Sequence, residues 1–428
     1  MEYQEALRFV KSTGKFGSKL GLGNISRLMR ELGNPQDRLK FIHIAGTNGK
    51  GSTAMFTASV MTGAGYRTGL YTSPFVYEFN ERIRVDGENI SDNELAAALT
   101  EVADAIMRMT ARGEEHPTEF EIITAAAFLY FYKKKCEPVV LEVGLGGRFD
   151  ATNIIKPPVV SVITKISLDH CEFLGNTLGE IAFEKCGIIK ENAPVVSYPE
   201  QPREAFCVIE KTAAERNCQL AVPDLSALQI HSCDLSGSRF TYGGGHYRLR
   251  QAGAYQIYNA ILAICAAKAA VERGFSVSDK QIREGLYNAV WRGRMEIIGE
   301  NPTFIVDGSH NADGVDAFAA TVRQCLGGRK ITCIFGMLGD KDYKYCLKVI
   351  RPLCENLILT RVNSPRAAET GELFAALGDD TERVFCASDN RGAVLKALEL
   401  CDRDGAVVAI GSLYMLGDIK NALENIRG

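Results

Sequence analysis

Residues 41–61, FIHIAGTNGKGSTAMFTASVM, constrain this chain more than any other stretch. An apolar run suited to a buried strand gives way to three glycines, one lysine and several hydroxyl residues. A helical pattern follows. Glycine accepts backbone angles that other residues avoid, so Gly46, Gly49 and Gly51 let successive N–H groups turn inward. Such amides form an anion-binding concavity, and the helix N-terminus behind them adds partial positive charge. The expectation is a phosphate cradle of Gly46, Thr47, Asn48, Gly49, Lys50, Gly51, Ser52 and Thr53, with Lys50 reaching the outer phosphates. The match to G-x-x-x-x-G-K-[ST] is imperfect: Ile44 stands at the first glycine position, and Gly51 separates Lys50 from Ser52. A glycine-rich capping turn with an incidental lysine is the alternative. The strand before and the helix after favour the cradle.

The same alternation runs along most of the chain. FIHIAG, PVVLEVG and VVSVITKI have the continuous apolar character of buried parallel strands, with helical patterns such as EFEIITAAAFLYFYKKK between them. The fold class expected is α/β: a P-loop-type, doubly wound, mostly parallel sheet domain over residues 1–296. Residues 228–250 are short-period and Gly-rich, like a small antiparallel excursion. From TFIVDGSH onward the alternation resumes through KITCIFGML, NLILTRV, RVFCAS and AVVAIGS. This predicts a second, smaller Rossmann-like α/β domain over 297–428, with Gly293, Gly299 and Pro302 marking the linker.

Composition narrows the function classes. The net charge is −3 and no long basic run appears, so a large nucleic-acid interface is not indicated. Apolar stretches are short and interrupted, which argues against a membrane span, and the N-terminus lacks a signal-peptide apolar core. A cytoplasmic monomer acting on small molecules is the expectation. The thirteen cysteines include no C-x-x-C pair. Several, such as Cys333 and Cys386, sit in apolar runs and are read as small buried hydrophobes.

Three strand ends carry candidate metal ligands. Glu142 closes PVVLE, His170 follows VVSVITKISLD, and Ser73 follows TGLYT. Ligand sites in open α/β sheets lie at the carboxyl ends of strands. Magnesium takes few protein ligands beside phosphate oxygens and water, which suits a Ser, a Glu and a His around a nucleotide.

GTNGKGS in this setting resembles the nucleotide loop of the ATP-dependent amide ligases that include the Mur ligases and the folylpolyglutamate synthases. TSPFVYEFNERIRVDG, LEVGLGGRFDATN, SLDHCEFLGNTLGEIAFEKCGIIK, QIYNA, GRME, DGSHNADG and GSLYML are similar to segments of the folate branch. The resemblance spans residues 21–416. About forty residues precede the loop, too few for the extra domain that most peptidoglycan ligases carry, which also points to the folate branch.

The resemblance implies ATP-dependent addition of L-glutamate to a folate carboxylate through an acyl phosphate, with dihydropteroate as a further acceptor. It implies two magnesium ions on Ser73, Glu142, His170 and a carbamylated Lys185. It places Asn259, Arg294 and Asp307 on ATP, and His310 and Ser412 on the incoming amino acid or the reacting phosphate. The segment TEFEI, with Phe120 and Glu121, is placed near the pterin, and Arg82, Arg148 and Asp150 near the folate and metal sites. Lys50, Lys185 and His310 are thus the candidate catalytic residues. Phe75 stands where a histidine is usual, and Trp291-Arg292 where Phe-Pro is common. A P-loop ATPase coupling hydrolysis to movement would use the loop but has no need of Glu142, His170 and Lys185 together. A folate-binding protein without catalysis is the third alternative.

Overall fold

The computed structural model describes residues 1–16 and 21–427. The chain divides into two compact units: one of residues 1–228, 242–247 and 258–289, the other of 229–241, 248–257 and 290–428.

The first unit holds an eight-stranded sheet. Its spatial order is Glu88–Asn89, Ile83–Val85, Gly69–Tyr71, Pro138–Glu142, Lys40–Ala45, Val160–Ile163, Val195–Ser197 and Leu220–Ala221. The six strands from Gly69–Tyr71 onward pair in parallel, while the two at the other edge pair antiparallel. The central strands are apolar along their length because helices cover both faces. Helix Glu119–Lys133 is apolar around most of its circumference and opens with a capping box between Thr118 and Glu121. Eleven of its residues, Glu121–Phe131, are buried.

The topology matters for function. Strand Lys40–Ala45 lies between Pro138–Glu142 and Val160–Ile163, with Ile44 in register with Glu142 and Ala45 with Ile163. The chain leaves all three strands on one edge. Residues 46–52, 143–150 and 164–170 are therefore neighbours, as expected at the switch point of a doubly wound sheet.

The second unit holds a six-stranded sheet in the order Glu296–Gly299, Thr303–Asp307, Ala406–Ile410, Ile331–Phe335, Asn356–Leu359 and Val384–Cys386. Five strands are parallel, and Glu296–Gly299 is an antiparallel edge. Gly299 and Pro302 thus belong to a hairpin at the sheet edge, not to a linker. The periodicity around GENP is too short to separate the two. Residues 228–249 form a three-stranded sheet.

Two sequence expectations need correction. Helix Ala254–Glu272 is apolar and long enough to cross a membrane, though most of it is buried within the protein. Cys333 is fully buried, but Cys386 is exposed at an edge strand, where an apolar run need not be covered.

Candidate active site

The phosphate loop leaves strand Lys40–Ala45 and is tied to the neighbouring strand's exit. The N–H groups of Thr47 and Asn48 both donate to the Lys165 carbonyl, at 2.8 and 3.2 Å. Thr47 Oγ1 donates to the Ser167 carbonyl at 3.0 Å and accepts from the Ser167 N–H at 3.1 Å. Gly46 and Gly49 adopt φ values of 150° and 88°. A Cβ on Gly46 would lie 1.9 Å from Thr164 Oγ1, and one on Gly49 would lie 2.3 Å from Asn259 Oδ1. Glycine is therefore required twice over, by angle and by space. Gly49 caps helix Lys50–Gly63, and the Lys50 ammonium folds back to donate to the Thr47 carbonyl at 3.1 Å. The structure thus brings Asn259 against the loop, although 210 residues separate it from Gly49 in sequence.

Lys185 is 4% exposed, and its amine donates to the Gly46 carbonyl at 2.8 Å. Burial is the main force that lowers its pKa to about 7, and the nearby Lys50 charge adds to it against Asp169 and Asp150. A buried lysine without a close anion loses its proton readily. Glu142 is buried and accepts the Ser73 N–H at 3.1 Å, so these two candidate ligands stand together. His170 is a left-handed residue (φ 52°) with a side chain 42% exposed and 3.9 Å from Asp169. Among the described residues no group of three or more His, Cys, Asp or Glu side chains is gathered closely enough to hold a metal. The oxygen donors Glu142 and Ser73 fit a magnesium ion that takes its remaining ligands from phosphate and water.

The residues assigned to folate divide into two groups. The Arg82 guanidinium lies over the rings of both Phe75 and Phe79, 5.3 and 5.5 Å from their centroids. Phe120 packs 6.1 Å from Tyr71 and touches the space over Gly144. Arg148 stacks on Phe149 and Phe183 at 4.9 and 5.0 Å. These side chains present planar, partly exposed surfaces. Glu121 and Asp150 instead spend their carboxylates inside the protein. Glu121 accepts from the Thr118 N–H and hydroxyl at 2.8 and 2.9 Å, and from the Ile25 N–H at 3.0 Å. Asp150 accepts from Leu145 N–H at 2.9 Å and from the Thr152 N–H and hydroxyl at 3.0 and 2.6 Å.

In the second unit, Asp307 closes its strand in register with Ile410, as Phe335 does from the other side. It is fully buried and accepts from Met295 N–H, Ser309 N–H and Ser309 Oγ at 2.9, 2.9 and 2.6 Å. His310 Nδ1 lies 2.8 Å from the Gly308 carbonyl, which can only accept, so Nδ1 carries the proton. Arg294 lies over Gly308, 3.2 Å from where a Cβ would stand, and Ser412 is buried at the start of helix Leu413–Arg427. Sequence reasoning missed Lys165, which acts through its carbonyl, Ser167, which holds the loop by its backbone and by its hydroxyl accepting from Asn48 Nδ2 at 3.3 Å, and His43. A lone imidazole in an otherwise apolar strand was the available signal for the last.

A doubly wound unit with a phosphate loop, in one chain with a smaller parallel-sheet unit, defines a nucleotide-dependent ligase of the Mur type. Residues 44–267 match the Mur ligase middle domain, and residues 293–413 match the Mur ligase glutamate ligase domain. The chain is 37% identical to the dihydrofolate synthase/folylpolyglutamate synthase of Bacillus subtilis, over 99% of each chain. It is 35% identical to the folylpolyglutamate synthase of Lacticaseibacillus casei, again over 99% of both. It superposes on the Mycobacterium tuberculosis folylpolyglutamate synthase complexed with ADP and AMPPCP with a TM-score of 0.90 at 30% identity, covering 100% of this chain and 99% of that one. The chain belongs to the Mur ligase family, in its folylpolyglutamate synthase and dihydrofolate synthase branch.

Proposed function

We propose that this chain uses ATP to join L-glutamate to the carboxylate of a reduced folate or its glutamylated forms, and dihydropteroate to glutamate as well. The observation that carries the proposal is the phosphate loop: Gly46–Ser52, held by Lys165 and Ser167, with two lysines converging on it. The second acceptor is favoured by the two activities named for the Bacillus subtilis relative.

A carboxylate acylates poorly because its leaving group is bad. Its oxygen attacks the γ-phosphorus, ADP leaves, and an acyl phosphate forms. The glutamate amine then attacks the acyl carbon, loses a proton and expels phosphate. The chain's own contribution is positioning and charge neutralisation. Loop amides and Lys50 hold the phosphates, Asn259 the nucleotide beside Gly49, and Arg82 with Phe120 the folate. Arg148 lines the same edge. Arg294 and Asp307 serve the nucleotide, and His310 and Ser412 the amino acid. Magnesium on Glu142 and Ser73, with His170 and Lys185 for a second ion, would neutralise charge developing on the phosphoryl oxygens.

The lowered pKa of Lys185 supports its carbamylation, because the neutral amine is the form that adds carbon dioxide. Carbamylation replaces a cation facing Lys50 by an anion, which removes a repulsion. The protein acts in the cytoplasm as a monomer; light scattering tests the second point. Purified protein incubated with ATP, magnesium, glutamate and either dihydropteroate or tetrahydrofolate should yield products heavier by one glutamyl residue. ATP hydrolysis indifferent to both glutamate and pterin would instead favour the ATPase alternative.

A further inference from the structure

Residues 164–166, just past strand Val160–Ile163, carry the phosphate loop, and a single side chain holds them in turn. Strand Val195–Ser197 pairs with Val160–Ile163 as far as Ile163, and the Tyr198 N–H donates to the Ile163 carbonyl at 2.8 Å. Gln201 then continues the ladder with its side chain. Its Oε1 accepts from the Ile166 N–H at 3.0 Å, and its Nε2 donates to the Thr164 carbonyl at 2.9 Å. In a regular strand a residue sends its N–H and C=O to the same side. Thr164 does not: its N–H donates to the Ala45 carbonyl, on the strand that feeds the loop, while its C=O turns to Gln201. This rotation of the backbone brings the next carbonyl, that of Lys165, onto the Thr47 and Asn48 N–H groups.

Burial makes the amide hard to replace. Thr164 and Ile166 are fully buried, so without Gln201 a carbonyl and an N–H would lose their partners inside the protein, a costly state. Gln201 is also carried rigidly. Pro202 follows it and restricts its backbone to extended angles. Helix Arg203–Glu215 starts next and is anchored by the buried Ala205, Ile209 and Ala213. The same connection bears Tyr198, whose ring lies 5.8 Å from that of Tyr258, the neighbour of Asn259. Residues 198–201 therefore meet both supports of the phosphate loop: segment 164–166 and the helix that brings Asn259 to Gly49.

We propose that Gln201 is a positioning residue for nucleotide binding: its amide serves as the strand partner of residues 164–166 and fixes the Lys165 carbonyl where the loop N–H groups of Thr47 and Asn48 need it. Gln201 acts through that backbone. The proposal rests on the phosphate loop of the ligase reading, and its test keeps the two separable.

Gln201→Met keeps the length of the side chain and removes both polar atoms. The full-length variant, titrated with magnesium-ADP in a calorimeter, should bind roughly tenfold more weakly than wild type, with KM for the folate acceptor unchanged. Amide exchange should quicken at Thr47 and Asn48 but not in strand Pro138–Glu142. Gln201→Glu is the sharper test. A protonated carboxyl offers one acceptor and one donor, as the amide does, whereas a carboxylate only accepts and would face the Thr164 carbonyl. The ADP affinity of Gln201→Glu, taken as a ratio to wild type at each pH, should be close to one at about pH 5 and fall roughly tenfold by about pH 8. Should Gln201→Met not fold, this ratio alone decides. A flat ratio, wild-type affinity in Gln201→Met, or exchange that quickens equally through the whole first unit would overturn the role of Gln201. Wild-type protein that binds ADP but forms no glutamyl product, with both variants behaving as stated, would sink the ligase reading and leave Gln201 in its role.

Discussion

The carboxyl-terminal edges of the two parallel sheets carry similar loops under opposite conditions. In the first unit, two glycines at positive φ open the backbone, and two lysines share a small volume, one of them buried. In the second, the buried Asp307 is surrounded by donors that it satisfies, and His310 and Asn311 are tied to their own loop. The first edge gathers loop N–H groups and the Lys50 ammonium at a helix start, a place suited to an anion. The second is a hydrogen-bonded frame that orients side chains. Substitutions among the glycines and lysines of the first edge should therefore strike phosphate chemistry, whereas at the second edge Asp307 should strike stability before any nucleotide contact, and His310 the amino acid.

The largest effect is expected at Lys50. Lys50→Ala should lower kcat/KM for ATP by about 10³-fold or more, with the thermal melt nearly unchanged. Lys185→Met should follow, with kcat reduced on the order of 100-fold. The wild-type rate should rise with pH through about 7, where the amine loses its proton, and rise again with added bicarbonate. A rate indifferent to bicarbonate across that range would argue against the carbamate.

The next effect concerns His43. Its folded pKa is depressed to about 3 from 6.5, so the unfolded chain takes up the proton first as pH falls. Stability is then lost from about pH 6.5 downward until the folded value is passed. By about pH 4.5 the loss should reach roughly 2–3 kcal/mol, and His43→Gln should remove that slope in denaturant titrations. Asp307→Asn exchanges one accepting oxygen for a donor that faces N–H groups. It should destabilise the second unit by about 1–2 kcal/mol in urea melts. His310→Ala is expected to be mildest, raising KM for glutamate about tenfold with ATP affinity unchanged. Should it raise KM for ATP instead, the contrast between the two edges fails.

The strands at 40–45, 138–142, 160–163, 303–307, 331–335, 356–359 and 406–410 were legible because buried parallel strands are apolar throughout. Val195–Ser197 and Leu220–Ala221 were not read as strands from the sequence. Among site residues, the phosphate loop was legible from glycine spacing. Glu121 and Asp150 looked like free carboxylates because nothing in TEFEI or RFDATN shows that backbone amides already occupy them.

By itself, then, the sequence determined the α/β class, the repetition of strand and helix, and the cradle at 46–52, because backbone preference and apolar spacing act over a few neighbouring residues. Only the tertiary structure decided which strand ends meet, that Lys185 is stripped of water beside Gly46 from 139 positions away, and that His43 finds Thr152 across 109. Those outcomes depend on the order of strands in a closed core, where burial and distance set the charge a side chain carries.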